Sequence, residues 1–209
     1  PLVLSKAHGP YDRGQSLADS TLGARFTNPT FAAWFGNDTM PETADNIASD
    51  VEISREDSDR FAAASQAKYE AARAGGFFDN EIVAVEVPQG RKKPPVRIAA
   101  DEHPRPQTTL ESLTGLRTLF DNGVVTAGNA SGINDGAAAL IVGNREVGER
   151  CGVKPRARIV AGAVAGVEPR EMGFGPVYAI QKALQRAGLM LSDMAVSYPH
   201  LTLTTKRIV

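Results

Sequence analysis

The sequence predicts an α/β fold, and three observations predict it. After about residue 136 the apolar pattern runs strand, helix, strand, helix, which is the order of a layered α/β protein. The helices in the chain carry start and stop residues at their expected ends. Between Val125 and Ala139 three glycines and several small residues lie in one short span, where backbone can approach a ligand or another backbone closely. A shift in composition near residue 136 divides an irregular module from a sheet-forming region.

The first thirty residues show little periodicity and predict loops and short turns laid on a larger body. Phe31, Trp34 and Phe35 fall on one helical turn. Pro41 opens a short helix to about Ser49, since the first turn does not need the N–H that proline lacks. Ser54 to Asp57 has the shape of a capping box, with Ser54 as N-cap. In the helix it starts, Phe61, Ala64, Ala67, Ala71 and Ala74 fall on one face, and Gly75-Gly76 is the stop. Residues 81 to 87 alternate as a strand through Val83, Val85 and Val87. Arg91, Lys92 and Lys93 mark a solvated turn, with an anion-binding patch as the alternative.

Thr109 to Phe120 carries Leu110, Leu113, Leu116, Leu119 and Phe120 at helical spacing. Ala137 to Val142 predicts a buried strand, Asn144 to Cys151 a helix, and Arg156 to Val167 a second, longer strand. Pro176 begins a helix with Val177, Ile180, Ala183, Leu184 and Ala187 inward, closed by Gly188.

Composition narrows the function classes. The formal charge of −1 gives no drive toward nucleic acid or an anionic membrane. No apolar run is long enough to span a bilayer, and no signal-peptide pattern is present. One cysteine, Cys151, excludes an internal disulfide framework and suits a reducing compartment, so the expected location is the cytoplasm. Clustered metal ligands at zinc spacing are absent from the sequence, and no metal or resident cofactor is expected. Gly128 to Gly132 is not a nucleophile elbow, because Ser131 is displaced by one position. Gly173 and Gly175 precede a helix without completing a dinucleotide fingerprint, which leaves nicotinamide nucleotide binding the weakest option.

From about Phe26 to Val196 the chain resembles the middle of a thiolase, the family that makes or cleaves 3-oxoacyl-coenzyme A. The segments that carry the likeness are Thr39 to Ala48, Ile53 to Asp57, Asp101 to Pro106, Val125 to Ala139, Gly166 to Pro169 and Met172 to Pro176. Met40 to Ser49 and Asp101 to Leu113 look most like 3-oxoadipyl-CoA thiolases of aromatic-acid breakdown.

The resemblance implies a partial thiolase-like α/β fold. Residues 1–132 would be the loop domain, 133–155 the end of the first βαβ-type half and 156–196 the start of the second. Residues 197–209 depart from the family and are expected to be a non-native tail.

By the same motif match, Arg105 is the cation for the nucleotide end of coenzyme A, and otherwise an exposed loop arginine. Ser112 offers a hydroxyl near the adenine or phosphate, and otherwise is a helix-surface serine. Phe120 flanks the adenine or pantetheine, or packs in the core. Ala127 and Ser131 border the pantetheine arm. Met40 is an apolar wall near the reacting end, and Met172 lies near the acyl pocket. Before Met40 stands Thr39, where short-chain members can carry histidine, so the acyl preference is open.

No catalytic residue is expected here. The family's nucleophilic cysteine lies upstream of the matched region, and its histidine, second cysteine and Asn-Glu-Ala-Phe segment lie downstream. Cys151 does not fit the nucleophile's surroundings, and His8, His103 and His200 do not fit the catalytic histidine's. The expected partners are coenzyme A and acyl-CoA as substrates, and further copies of the chain in a dimer or tetramer of the full-length enzyme. The alternative is a non-catalytic module that binds coenzyme A or a partner.

Overall fold

A computed structural model describes residues 2–7, 9–19, 26–90 and 93–194. The expectations for Arg91 and Lys92, for His8 and His200, and for the tail 197–209 lie outside these residues.

The amino-terminal segment is more regular than its composition suggests. β1 (Leu2–Leu4) pairs antiparallel with β2 (Leu17–Asp19), Leu2 opposite Asp19 and Leu4 opposite Leu17. Three residues per strand are too few to show a periodicity in sequence, so the pairing was not legible as one.

α1 (Pro29–Phe35) begins where Asn28 Oδ1 accepts the backbone N–H of Thr30 at 2.9 Å. It carries Phe31, Trp34 and Phe35 as one aromatic group, with ring centroids 5.0 and 6.1 Å apart.

α2 (Met40–Asp50) has Pro41 in its first turn, as expected. Thr39 donates both its N–H (2.6 Å) and its hydroxyl (2.7 Å) to Glu42 Oε2. Those bonds hold the Glu42 carboxyl below the ordinary glutamate range.

α3 (Arg55–Ala74) starts at Ser54, whose hydroxyl accepts the Asp57 N–H at 3.0 Å, and ends at Gly75 and Gly76. Gly76 takes a φ of +74°, which suits glycine. The buried face of α3 is not the alanine stripe. Of the face read from sequence Phe61 is half-buried, while Ala64, Ala67, Ala71 and Ala74 are exposed, and the inward stripe runs Arg55, Asp59, Ala62, Gln66 and Tyr69. The face is set by the hydrogen bonds of Asp59, which apolar spacing does not register.

The strand expected over 81–87 is shortened to β3 (Val85–Val87), paired antiparallel with β4 (Val96–Ile98). The helix expected over 109–120 is also cut short. α4 (Leu110–Thr114) closes at Gly115, and the chain then turns so that Leu119 N–H donates to Val125 O at 2.8 Å. Only Leu113 of the leucine series is buried.

Two expected strands are corrected. Residues 137–142 form no strand, and Leu140, Ile141 and Val142 are 88, 102 and 72% exposed. Residues 156–167 form none either, although exposure alternates with period two from Ala161 to Val167. A strand requires a neighbour to complete its ladder, and the described residues place none beside either segment. The carbonyls of Gly162 and Val164 instead accept from Arg186 Nη1 (2.7 Å) and Lys182 Nζ (3.3 Å).

α5 (Arg145–Arg150) falls within the span expected for it, and the Asn144 side chain caps its start. A 3-10 segment, Pro169–Phe174, leads into α6 (Gly175–Ala187), which Gly188 ends in the left-handed conformation at φ +67°. Val177, Ile180, Ala183, Leu184 and Ala187 are half-buried, as the inward face read from sequence has them, and Gly175 and Ala179 join them. A short 3-10 turn, Leu191–Asp193, follows.

Long-range ties hold these pieces. The 3-10 segment docks on α2: Asn46 Nδ2 donates to Arg170 O (3.2 Å), Arg170 pairs with Asp50 (2.7 Å), and Gly173 lies against Ile47. No helix among the described residues is long and apolar enough to cross a membrane.

Candidate coenzyme A groove

The passage from Val124 to Ser131 is held by three helices. From α2, Asp45 Oδ1 accepts the N–H groups of Val124 (2.7 Å) and Val125 (3.0 Å). Gly123 has no side chain because Asp45 fills that space, with Cγ 2.7 Å from where a Cβ would stand.

From α3 comes Asp59, which is 0% exposed. Its Oδ2 takes Arg55 Nε at 2.7 Å, and its Oδ1 takes Asn129 Nδ2 at 3.0 Å. Asn129 also donates to Val124 O (2.9 Å) and accepts Thr126 N–H (2.7 Å). Thr126, equally buried, closes the turn: its Oγ1 accepts the N–H of Gly128 and of Asn129, and its carbonyl accepts that of Ala130.

From α4, Leu113 packs beneath Gly128. A Cβ there would stand 2.5 Å from both Leu113 Cδ2 and Leu116 Cδ1. Leu113 is 3% exposed and has little room to move. Gly128→Ala is therefore expected to cost about 1–3 kcal/mol by overpacking. Gly136→Ala meets nothing within 4 Å and is expected to stay within about 0.5 kcal/mol. Urea unfolding of the two variants measures the difference; equal midpoints would contradict it.

Between α3 and this loop lies a groove of about 360 Å³, within the size range of small-molecule sites. Phe61, Lys68 and Tyr69 of α3 line one wall, and His103, Pro104 and Ser131 line the other. Tyr69 stacks on Phe78 with centroids 5.2 Å apart and donates to Asp101 Oδ2 at 2.9 Å. Burial, and then the Asp101 carboxylate, raise its hydroxyl above the ordinary tyrosine range. The His103 ring occupies the space a side chain on Gly132 would need.

The sites expected from sequence divide into those at the groove and those away from it. Ser131 lines it directly. Arg105 follows the His103–Pro104 wall, and its backbone N–H donates to Gln66 Oε1 at 2.8 Å. Its guanidinium Nη1 donates to the carbonyls of Glu102, His103 and Pro104, which leaves Nε and Nη2 without a partner among the described residues. Ala127 is exposed in the same loop.

Ser112 sits on α4, where its hydroxyl accepts Thr109 N–H (3.0 Å) and donates to Thr109 O (2.8 Å). Phe120 is 37% exposed on the turn after α4. Met40 opens α2 at 68% exposure, and Met172 is 40% exposed in the 3-10 segment docked on that helix. These four residues, like Arg105 and Ala127, do not line the groove.

Asp45, Thr126 and Asn129 stand in the quoted motifs without a role, and Asp59 lies two residues beyond one. The only signal in sequence was the i, i+4 spacing of Arg55 and Asp59. No group of residues suited to hold a metal occurs among those described.

Comparison with known proteins shows the family. Residues 11–146 match the family model for the thiolase N-terminal domain, and residues 153–200 match that for the thiolase C-terminal domain. The chain is 52% identical over 197 residues to the 3-oxoadipyl-CoA/3-oxo-5,6-dehydrosuberyl-CoA thiolase of Escherichia coli (strain K12), covering 94% of this chain and 49% of the relative. It is 50% identical over 199 residues to the beta-ketoadipyl-CoA thiolase of Pseudomonas putida, with the same coverage.

Among solved structures, human mitochondrial 3-ketoacyl-CoA thiolase in complex with CoA superposes with a TM-score of 0.77 at 38% identity, over 93% of this chain and 47% of that one. The Bacillus anthracis acetyl-CoA acetyltransferase superposes with a TM-score of 0.76 at 37% identity, over 92% of this chain and 48% of that one. This chain thus spans about half the length of the relatives it matches. Both domain models meet within it, and its helices superpose on solved members, so the chain belongs to the thiolase family.

Proposed function

We infer that this chain forms the coenzyme A-cradling part of an enzyme that makes or cleaves 3-oxoacyl-CoA through an acyl-cysteine intermediate. The names of its relatives point to 3-oxoadipyl-CoA as the substrate. The observation that carries the reading is the groove in which Ser131 and the Arg105 loop face α3.

A coenzyme A site needs cations for the phosphates, an apolar path for the pantetheine arm, and small residues where that arm runs close to backbone. The free Nε and Nη2 of Arg105 supply the first. Phe61, Tyr69 and Pro104 supply apolar surface. Ala127 and Ser131 border the arm, and the Ser131 hydroxyl bonds its amide. Ser112 and Phe120 serve the nucleotide end, while Met40 and Met172, carried on two docked elements, wall the acyl end. In this reading the reactive cysteine and histidine belong to segments other than these 209 residues. The whole enzyme assembles as a dimer or tetramer, and its work is cytoplasmic.

Calorimetry with coenzyme A tests the reading. The 209-residue chain is expected to give saturable heat, and Arg105→Ala to weaken binding about tenfold, or about 1.4 kcal/mol. No heat at millimolar coenzyme A would overturn it.

A further inference from the structure

We propose that Asp59 is a positioning residue for the coenzyme A loop and acts through Asn129. The inference rests on the reading that residues 126–131 border coenzyme A. Asp59 itself lies on α3 and does not line the groove.

A carboxylate with no exposure is costly unless its charge is paired and its oxygens are bonded. Both conditions are met at Asp59, and each partner carries the constraint outward. Arg55 answers the charge through Nε, and its Nη2 donates to Leu113 O (2.7 Å) and Leu116 O (2.9 Å) at the carboxyl end of α4. Leu113 O also accepts the Leu116 N–H (2.9 Å), and Leu116 lies past the end of α4, so Arg55 braces the turn that follows the helix.

Asn129 answers the second oxygen. Donating to Asp59 orients its amide, because Nδ2 must face the carboxylate and Val124 O. Oδ1 is then turned to the Thr126 N–H. With the amide in that orientation, Thr126 closes the turn onto Gly128, Asn129 and Ala130. Ser131 is the next residue. The chain of bonds runs from a helix with no ligand contact at Asp59 to the hydroxyl that faces the pantetheine arm.

The test is a swap. Asn129→Asp sets a second carboxylate against Asp59 while keeping an acceptor for Thr126. Asp59→Asn added to it restores a donor–acceptor pair with its direction reversed. Two readouts are taken on the 209-residue chain. One is amide exchange at Thr126, Gly128, Asn129 and Ala130, with α6 amides as the reference. The other is coenzyme A affinity by calorimetry.

Asn129→Asp is expected to speed exchange at the four loop amides and weaken coenzyme A binding, each about tenfold. The double variant is expected to recover about threefold of each loss, since the carboxylate left at position 129 still meets Val124 O where an N–H stood. If Asn129→Asp does not fold, Asp59→Asn alone is measured, with loop exchange expected to rise about fivefold. Unchanged loop exchange in the variant measured, or no recovery in the double variant, would overturn the proposal. Faster, rescued exchange with unchanged affinity would keep Asp59 as the loop's anchor and remove coenzyme A from the loop.

Discussion

The 209-residue chain, purified from a host without thiolases, is expected to show no thiolysis of 3-oxoadipyl-CoA above the uncatalysed rate. Acyl transfer through cysteine needs a thiolate, a base to generate it, and donors for the oxygen on which charge develops. The sequence holds one cysteine. Cys151 is exposed at the carboxyl end of α5, and its sulfur has no hydrogen-bond partner among the described residues. His103 is committed elsewhere, packed against Gly132 on the groove wall.

An enzyme deprived of its nucleophile falls by a factor of about 10⁴ or more, so the contrast with a full-length thiolase is large. Chromatography of the remaining 3-oxoadipyl-CoA gives the rate, and intact-mass measurement detects any acyl adduct. Cys151→Ser should change neither. Turnover, or an adduct that Cys151→Ser removes, would show that the chain carries its own nucleophile.

Asp59→Ala is expected to be the most destabilising single truncation at the loop, at about 3 kcal/mol. The substitution removes the acceptor of two bonds at a site with no exposure. It also leaves the Arg55 guanidinium, 26% exposed, without its counter-charge. Little other burial compensates: Ala48, Leu113 and Val125 are the buried apolar residues among those described. Urea unfolding against the parent measures the loss. Gln107→Ala, at an exposed loop position, is the control and should stay within about 0.5 kcal/mol. A loss under about 1 kcal/mol for Asp59→Ala would mean that water replaces the network at small cost.

Much of the fold was legible where the deciding interaction is local. Ser54, Asn144 and Gly188 mark helix ends because a side-chain oxygen or a left-handed glycine acts within a few residues of the backbone it serves. Pro41 and Pro176 mark helix starts for the same reason. The inward face of α6 was also readable, since the spacing of its apolar residues marks it. The face of α3 was not, because the residue that decides it is a carboxylate whose partner lies seventy positions away in Asn129. The leucines of 109–120 kept helical spacing, yet the helix yields at Gly115, where the backbone turns back toward Val125.

The candidate site divides in the same way. Arg105 and Ser131 could be named from sequence because the motifs around them resemble those of a family. That Ser131 and the His103–Pro104 segment before Arg105 face one groove with α3 depends on Gln66 holding the Arg105 N–H and on Asn129 closing the loop before Ser131. Ser112 shares the Arg105 motif but does not line the groove, and its hydroxyl is engaged in the cap of its own helix.

By itself the sequence carried the family likeness in its motifs, and it marked most helix ends and the small residues that let the loop come close to its neighbours, since those ends and residues follow from residue type and short spacing. The tertiary structure alone decided which helix faces are buried, which extended segments find partners, and how Asp45, Asp59 and Asn129 converge on one loop. Those outcomes depend on hydrogen bonds between residues far apart in the chain, and a buried polar group declares its partner only once the chain has folded around it.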